Sequence, residues 1–499
     1  MSEKISIQEN GDEDRVVVEP AMKYDVARED ITFHTPRTEW YAFINGESVS
    51  AIDGTWFEST NPATGESLGR VARCGAQDVD IAVRSAQVGQ QRWVAMDPSE
   101  RSEVMYRISR IMQERAREFA VLETLDNGKP IRESRDTDIP LAAAHFFYHA
   151  GWADKLEYAG VGTSPKPLGV AGQIIPWNFP LLMLAWKVAP ALATGNTVVL
   201  KPAESTSLTA LLFAEVCQQA ELPAGVVNIV TGDGSTGALI VNHPGIDKIA
   251  FTGSTEVGKI IARAVAPTKK SVTLELGGKA ANIVFDDAPI DETVEGIVNG
   301  IFFNQGHVCC AGSRLLLQEN VAEEVLHKLK NRMEKIRVGD PMDKNTDVGA
   351  INSKEQLAKI VELAAAGDAE GAERWSPACN LPTKGFWFAP TIFTGVTQAH
   401  RIAREEIFGP VLSVITFRTP QEAIEKANNT PFGLSAGIWS EKGSRTLWAS
   451  QQLRAGVIWA NTFNKFDPTS PFGGYKESGW GREGGRHGLS AYLKGVSHE

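Results

Sequence analysis

Two adjacent thiols close the stretch FFNQGHVCC (302–310): Cys309 and Cys310, in a chain with five cysteines. A cysteine acts as a nucleophile only as its thiolate, and a loop or helix start rich in backbone N–H groups favours that form. Gly306, three residues before Cys309, lets the backbone turn tightly and bring an N–H close to a ligand. For a cysteine taken at random, a buried and inert thiol is the commoner case. Other stretches weigh against it here.

In TLELGGK (273–279), Glu275 ends an apolar run and is followed by two glycines. A carboxyl in apolar surroundings has a raised pKa and can serve as a general base, with an ion pair to Lys279 as the rival reading. In GQIIPWNFP (172–180), Asn178 lies between two prolines, where its amide could donate to an oxyanion or simply cap a helix. FTGSTEVG (251–258) follows a strand-like run with small residues that free helix-start N–H groups for a phosphate. It has neither the Lys-Ser/Thr of a P-loop nor a GxGxxG pattern, so alone it reads as a plain strand-to-helix turn. VVLKPAE (198–204) ends a strand with Lys201 and Glu204, which could hold ribose hydroxyls but more commonly would form a surface ion pair.

The elements that must position these residues alternate. Strands are expected at 170–175, 197–200, 226–230, 248–251 and 271–274, with helices at 181–193, 205–220, 236–242 and 255–265 between them. Such alternation builds a mostly parallel, doubly wound sheet that binds ligands at the carboxyl ends of its strands. A second α/β set is expected from strands near 312–318, 411–417, 434–439 and 456–460. Upstream, residues 40–61 read as a hairpin turning at Asn45-Gly46. Helical stretches follow at 77–95, 98–127 (ending at Asn127-Gly128) and 141–155. Residues 1–36 are acidic, without sustained periodicity, and are expected to be a loosely held extension.

With 499 residues, two or three domains are expected, and a net charge of −11 argues against a nucleic-acid or anionic-membrane surface. Five cysteines without framework spacing point to a reducing compartment, and the first twenty residues have no apolar signal core. No run reaches the ~18 apolar residues of a membrane span, so a cytoplasmic protein is expected.

Together these stretches are hard to read as unrelated structural features. From about Trp40 to about Tyr492 the chain resembles the aldehyde dehydrogenase superfamily, with GQIIPWNFP, VVLKPAE, FTGSTEVG, LELGGK, FFNQGxxCCAGSR, EEIFGPV and PFGGYKxSGxGRE in the family's order. The resemblance implies an α/β fold: a doubly wound parallel-sheet NAD-binding domain (37–155 and 169–274), a catalytic domain (275–475) and a short oligomerisation hairpin (156–168 with 484–499). It makes Cys309 the nucleophile, Asn178 with the Cys309 N–H the oxyanion hole and Glu275 the activator of water. Lys187 and Glu483 become a proton-relay pair. NAD is the implied cofactor, less readily NADP, held by Ile174, Pro176, Trp177, Lys201, Glu204, Gly234, Gly253, Ser254, Glu406 and Phe408. No metal is expected.

Three departures from the family pattern stand out. His307 occupies a position usually held by Gln, and is expected to replace an amide hydrogen bond rather than to titrate. The 156–170 stretch and the tail after Tyr492 are short, so a homodimer is expected rather than the usual tetramer. The extension before Trp40 is acidic and is not explained by the resemblance. The pocket positions carried over are Leu141, Phe179, Met183, Trp186, Val308, Cys310, Phe463, Asn464 and Phe466. None is an Arg or Lys that could clamp a substrate carboxylate, which favours neutral aliphatic or aromatic aldehydes. A CoA-acylating relative would be expected to lack Glu275, and a non-catalytic scaffold to lose Cys309, Glu275 or Asn178; all three are present.

Overall fold

The strands of the first sheet are short aliphatic runs between turns. In the computed structural model, which describes residues 25–31, 37–162 and 164–494, five of them pair in parallel: Val170–Ile174, Thr197–Lys201, Val227–Ile229, Lys248–Thr252 and Ser271–Glu275. Four are buried at every position, as expected of a parallel sheet covered on both faces. Helices Pro180–Ala193, Leu208–Gln219, Gly234–Asn242 and Thr255–Val265 make the crossovers. Both edges are antiparallel. Ala42–Ile44 and Glu47–Val49 form a hairpin at one edge, and Gly479–Trp480 lies on Ser271–Glu275 at the other. Asn45 and Gly46 turn the hairpin with φ of 55° and 84°, the left-handed pair of a type I′ turn.

The expected 40–61 hairpin is shorter than the sequence suggested. Trp56–Thr60 leaves it and pairs with Ser67–Ala72, which also pairs with Glu39–Trp40 in a separate sheet. The expected 98–127 helix is two helices, Pro98–Glu114 and Ala116–Asn127, broken at Arg115. Arg115 leaves helical geometry there and its guanidinium bridges Glu118 and Glu215 at 2.8 Å each. The second helix stops at Gly128, φ 91°, where glycine supplies the left-handed cap. The expected 141–155 helix is Ile139–Ala150, and a π-turn, Ser134–Asp138, precedes it.

The second sheet has seven strands, in the order Glu373–Trp375, Thr391–Thr394, Val411–Phe417, Arg314–Gln318, Ala281–Val284, Ser435–Trp439 and Val457–Ala460. All neighbours are parallel except the first pair. Residues 25–31 are not loosely held: buried Glu29 pairs with Arg117 and, at 3.3 Å, with Lys344, and Arg28 pairs with Asp340 at 3.0 Å. The rest of the 1–36 extension lies outside the described residues. Leu493–Lys494 pairs antiparallel with Lys166–Pro167, joining the two stretches read as an oligomerisation element. Among the described residues no helix is long and apolar enough to cross a membrane.

Candidate active site

The loop that carries Cys309 is built by a left-handed backbone run. Asn304, Gln305 and Gly306 have φ of 48°, 53° and 75°, and each non-glycine residue in that region costs about 1–3 kcal/mol. Four buried hydrogen bonds hold the run in place. Glu133 accepts from the Asn304 N–H at 2.8 Å, and the Asn304 amide donates to the Asn178 carbonyl at 2.8 Å. Gln305 donates to the Ala350 carbonyl at 3.2 Å and accepts from the Gly349 N–H at 3.1 Å. A side chain at Gly306 would collide with the Gly409 carbonyl. Cys309 emerges half-buried beside fully buried Cys310.

The loop does not favour the Cys309 thiolate. A hydrogen bond with the Cys310 thiol, then burial, push the Cys309 pKa well above its ordinary value. Its resting form is the thiol, which must give up a proton to react.

Asn178 is not a helix cap, since the following helix begins at Pro180 after an N-cap Phe179 with no side-chain capping bond. Its Nδ2 donates one hydrogen to the His307 carbonyl at 2.8 Å, leaving a second N–H on a side chain that lines the cavity. Glu275 is buried, and neither of its oxygens has a protein hydrogen-bond partner among the described residues. The rival ion pair with Lys279 is therefore absent, and the Lys279 ammonium too has no hydrogen-bond partner. Burial, reinforced by nearby Glu483 and opposed by Lys187, raises the Glu275 pKa well above the usual carboxyl range. Gly473 leaves it room: a Cβ there would stand 2.9 Å from Glu275 Oε1. Lys187 and Glu483 form a buried ion pair.

Cys309, Glu275, Asn178 and Glu483 share one cavity of about 650 Å³. Its wall also carries Pro176, Trp177, Gly253, Ser254, Glu406 and Phe408 of the residues expected to hold a dinucleotide. Ile174, Lys201, Glu204 and Gly234 lie off that wall. Ile174 and Lys201 flank the helix that begins at Gly234, each 3.6 Å from where a Cβ of Gly237 would be. The Lys201 ammonium donates to the Pro202 carbonyl at 2.8 Å and lies 3.5 Å from Glu204, whose carboxylate is half exposed. Ser254 Oγ caps its helix, accepting from the Val257 N–H at 3.3 Å. Glu406 accepts from the Gly278 N–H at 2.9 Å. Phe408 sits at φ 56° with its carbonyl and that of Ile407 held by Gln356 at 2.9 and 3.0 Å.

Of the expected pocket residues, Phe463 is off the wall, packed on Trp459 with ring centroids 4.8 Å apart. It fills space left open by Gly300, Gly312 and Gly437. The wall does carry lysines: solvent-exposed Lys465 beside Asp467, and Lys359 beside Gln356. Sequence reading missed these lysines because they lie outside the motifs, and it gave no pocket role to Phe303 and Phe472 although both lie within motifs. The one available signal was the apolar-spaced helix Lys354–Ala369, which carries Gln356 and Lys359.

His307 does not replace an amide. Neither ring nitrogen has a protein hydrogen-bond partner among the described residues. The ring packs against Trp177 and Phe408, with centroids 4.8 and 5.9 Å away. Burial drives its pKa down to about 3, so it is neutral.

The Cys309 thiol and the unpartnered Glu275 carboxyl thus line one cavity beside the carboxyl end of a doubly wound sheet. The aldehyde dehydrogenase family model matches residues 49–496. Retinal dehydrogenase 2 of Homo sapiens is 45% identical over 463 residues, covering 90% of this chain and 89% of that protein. A solved NAD+ complex of an aldehyde dehydrogenase from Bacillus cereus is 41% identical, with a TM-score of 0.90, covering 94% of this chain and 98% of that one. A mutant of the P. syringae indole-3-acetaldehyde dehydrogenase AldA, solved with NAD+ and IAA, is 40% identical with a TM-score of 0.89, covering 92% and 96%. The chain belongs to the aldehyde dehydrogenase family.

The buried His307 ring predicts an acid-sensitive contribution to stability. Unfolded, it gains a proton near pH 6.5; folded, not until about 3. Its contribution is thus whole above 6.5 and is lost as pH falls through that window. Between pH 7 and 5, His307→Gln should lose about 2 kcal/mol less stability than the parent. Denaturant melts of both proteins at the two pH values measure it, and parallel losses would show that the ring is not held neutral.

Proposed function

We propose that this aldehyde dehydrogenase oxidises a neutral aliphatic or aromatic aldehyde to its acid, with Cys309 as nucleophile and Glu275 as the base for hydrolysis. The observation that carries the reading is that Cys309 and Glu275 open into one cavity and that Glu275 has no protein hydrogen-bond partner there. Aromatic walls support the substrate class: Phe179 stacks on Phe303, and Trp186, Phe466 and Phe472 pack together on each other's edges and faces.

Cys309 Sγ attacks the aldehyde carbon, and its proton passes to solvent water as the C–S bond forms. The new alkoxide meets the free Asn178 N–H and the Cys309 backbone N–H. NAD bound in this cavity would supply the hydride acceptor that oxidation to the thioester requires. Glu275 then takes a proton from water; the oxygen adds to the acyl carbon, the C–S bond breaks and the acid leaves. The proton on Glu275 has a route outward through Glu483 and Lys187, which are already paired.

NAD fits the residues present. Cavity-wall residues Trp177, Ser254, Glu406 and Phe408 would hold its nicotinamide half, and Lys201 with Glu204 the adenosine ribose. The half-exposed Glu204 carboxylate would repel a 2′-phosphate, while Lys201 is committed to Pro202 and Glu204. All five cysteines are free, in keeping with a cytoplasmic setting. A homodimer has support from exposed Val257 and Ile260, whose helix is tied to the 475–480 segment by Lys259–Glu477 at 2.9 Å. Exposed Trp480 stands on the unpaired sheet edge beside them.

Glu275→Gln should give a burst of NADH near one per site, then very slow turnover, with an acyl group on Cys309 visible by intact mass and removable by hydroxylamine. No burst would move Glu275 to deprotonation of Cys309, and normal turnover would make it structural. The ratio of kcat/KM for NAD to that for NADP should exceed one and fall toward or below one in Glu204→Gln. A parent preference for NADP would overturn the role given to Glu204. Light scattering should report two chains per particle and Ile260→Glu should report one; a stable tetramer would refute the dimer.

A further inference from the structure

Strand alternation places a second buried lysine in line with Glu275. On Ser271–Glu275, Thr273 and Glu275 share a face. Parallel pairing aligns Thr252 with Glu275 and Ala250 with both Thr273 and Gln173. Lys248 is one row further along that face, at the start of its strand. The face is covered by helix Pro180–Ala193, which carries Lys187, and by the segment carrying Glu483 and Tyr492. Gln173 ties this layer together, donating to the Lys187 carbonyl at 2.8 Å and to the Tyr492 hydroxyl at 3.2 Å.

Lys248 is fully buried. Its ammonium donates to Thr273 Oγ1 at 3.2 Å and stands 4.9 Å from the centre of the Tyr492 ring. The charged groups around it are Glu483, which favours its cation, and Lys187, which opposes it. The carboxylate of the preceding Asp247 instead accepts from the Val170 N–H at 2.8 Å. Further along lies Glu275, which faces Glu483, Lys187, Cys309 and Arg482. One buried lysine cannot balance two buried carboxylates. Arg482, the other cation facing Glu275, is half-buried and donates to the Gly474 and Gly481 carbonyls. Without Lys248, Lys187 is therefore left as the one fully buried cation against two buried carboxylates in a low-dielectric site.

We infer that Lys248 is a positioning residue for the hydrolytic half-reaction: its ammonium supplies the second positive charge that lets Glu275 and Glu483 be ionised together. Burial brings Lys248 down to about 7, so its charge is gained and lost around neutrality, where the base must work. The inference rests on Glu275 being the hydrolytic base. Lys248 itself touches no substrate; it acts on Glu275 through the charge of the shared face.

The test is the pH profile of kcat with NAD and an aromatic aldehyde such as benzaldehyde, under conditions where hydrolysis limits turnover. Lys248→Met removes the charge and keeps the volume. Its acidic limb should move up by about one pH unit, the scale for losing one neighbouring opposite charge. The NADH burst should stay near one per site, since acylation does not need the second charge. Lys248→Arg should restore the parent limb. Should Lys248→Met not fold, Thr273→Val removes the hydrogen bond that aims the ammonium and should move the limb in the same direction by less. An unmoved limb in a folded Lys248→Met, or in Thr273→Val where that must stand in for it, overturns the inference. If Glu275→Gln stalls after one burst while the Lys248→Met limb stays put, only the inference fails; if Glu275→Gln turns over normally, both readings fail.

Discussion

The site depends on a strained turn. Three successive residues, Asn304 to Gly306, are held in left-handed geometry two residues before the Val308–Cys309 peptide. Two of the three pay for it sterically, and only surrounding structure can keep them there. That structure comes from distant parts of the chain: the Glu133 carboxyl, the Asn178 carbonyl, and the Gly349 and Ala350 backbone. The cysteine therefore cannot be placed by its own strand or helix. It is placed by agreement between the π-turn region of one unit and the loop before Lys354 in the other.

The same turn links Cys309 to Asn178. The His307 carbonyl receives the Asn178 amide, and the Asn178 carbonyl receives the Asn304 amide. Asn178 is thus hydrogen-bonded through both its amide and its carbonyl to the loop that carries Cys309. A buried set of titratable groups surrounds this arrangement. Lys129 is fully buried with Asp138 and, at 3.4 Å, Glu123, and its ammonium lies 4.3 Å from the Phe179 ring. Glu123 also accepts from the Leu181 N–H at 3.3 Å, fixing the helix start that follows Asn178.

Much of this was legible in the sequence because strands and chemistry coincide. Glu275 ends a strand, Asn178 follows one and Lys201 closes another, so motif and element could be read together. What was not legible depends on partners distant in sequence. Arg115 breaks a helix because two glutamates, one a hundred residues away, hold its guanidinium. His307 reads as a polar substitute for Gln, yet its surroundings are aromatic and offer it no acceptor. Ala281–Val284 and Thr391–Thr394 are too short for periodicity to reveal, and they are strands only because longer neighbours pair with them.

Cys309 marks the limit of motif reading most clearly. Its surroundings suggested a stabilised thiolate, whereas the Cys310 thiol beside it and burial favour the protonated form. Glu275, and Glu406 on the same cavity wall, are likewise raised by burial. A thiol and two carboxyls held toward their neutral forms keep the net charge of a deep, low-dielectric cavity small. Reactivity then depends on which groups supply positive charge when a proton moves. Near Glu275 that is Lys187, opposing its raised pKa directly; near Glu406 it is Lys359 and Lys279. Buried Lys187 and Lys279 and exposed Lys359 thus bias the two carboxyls that share the cavity with Cys309 toward ionisation.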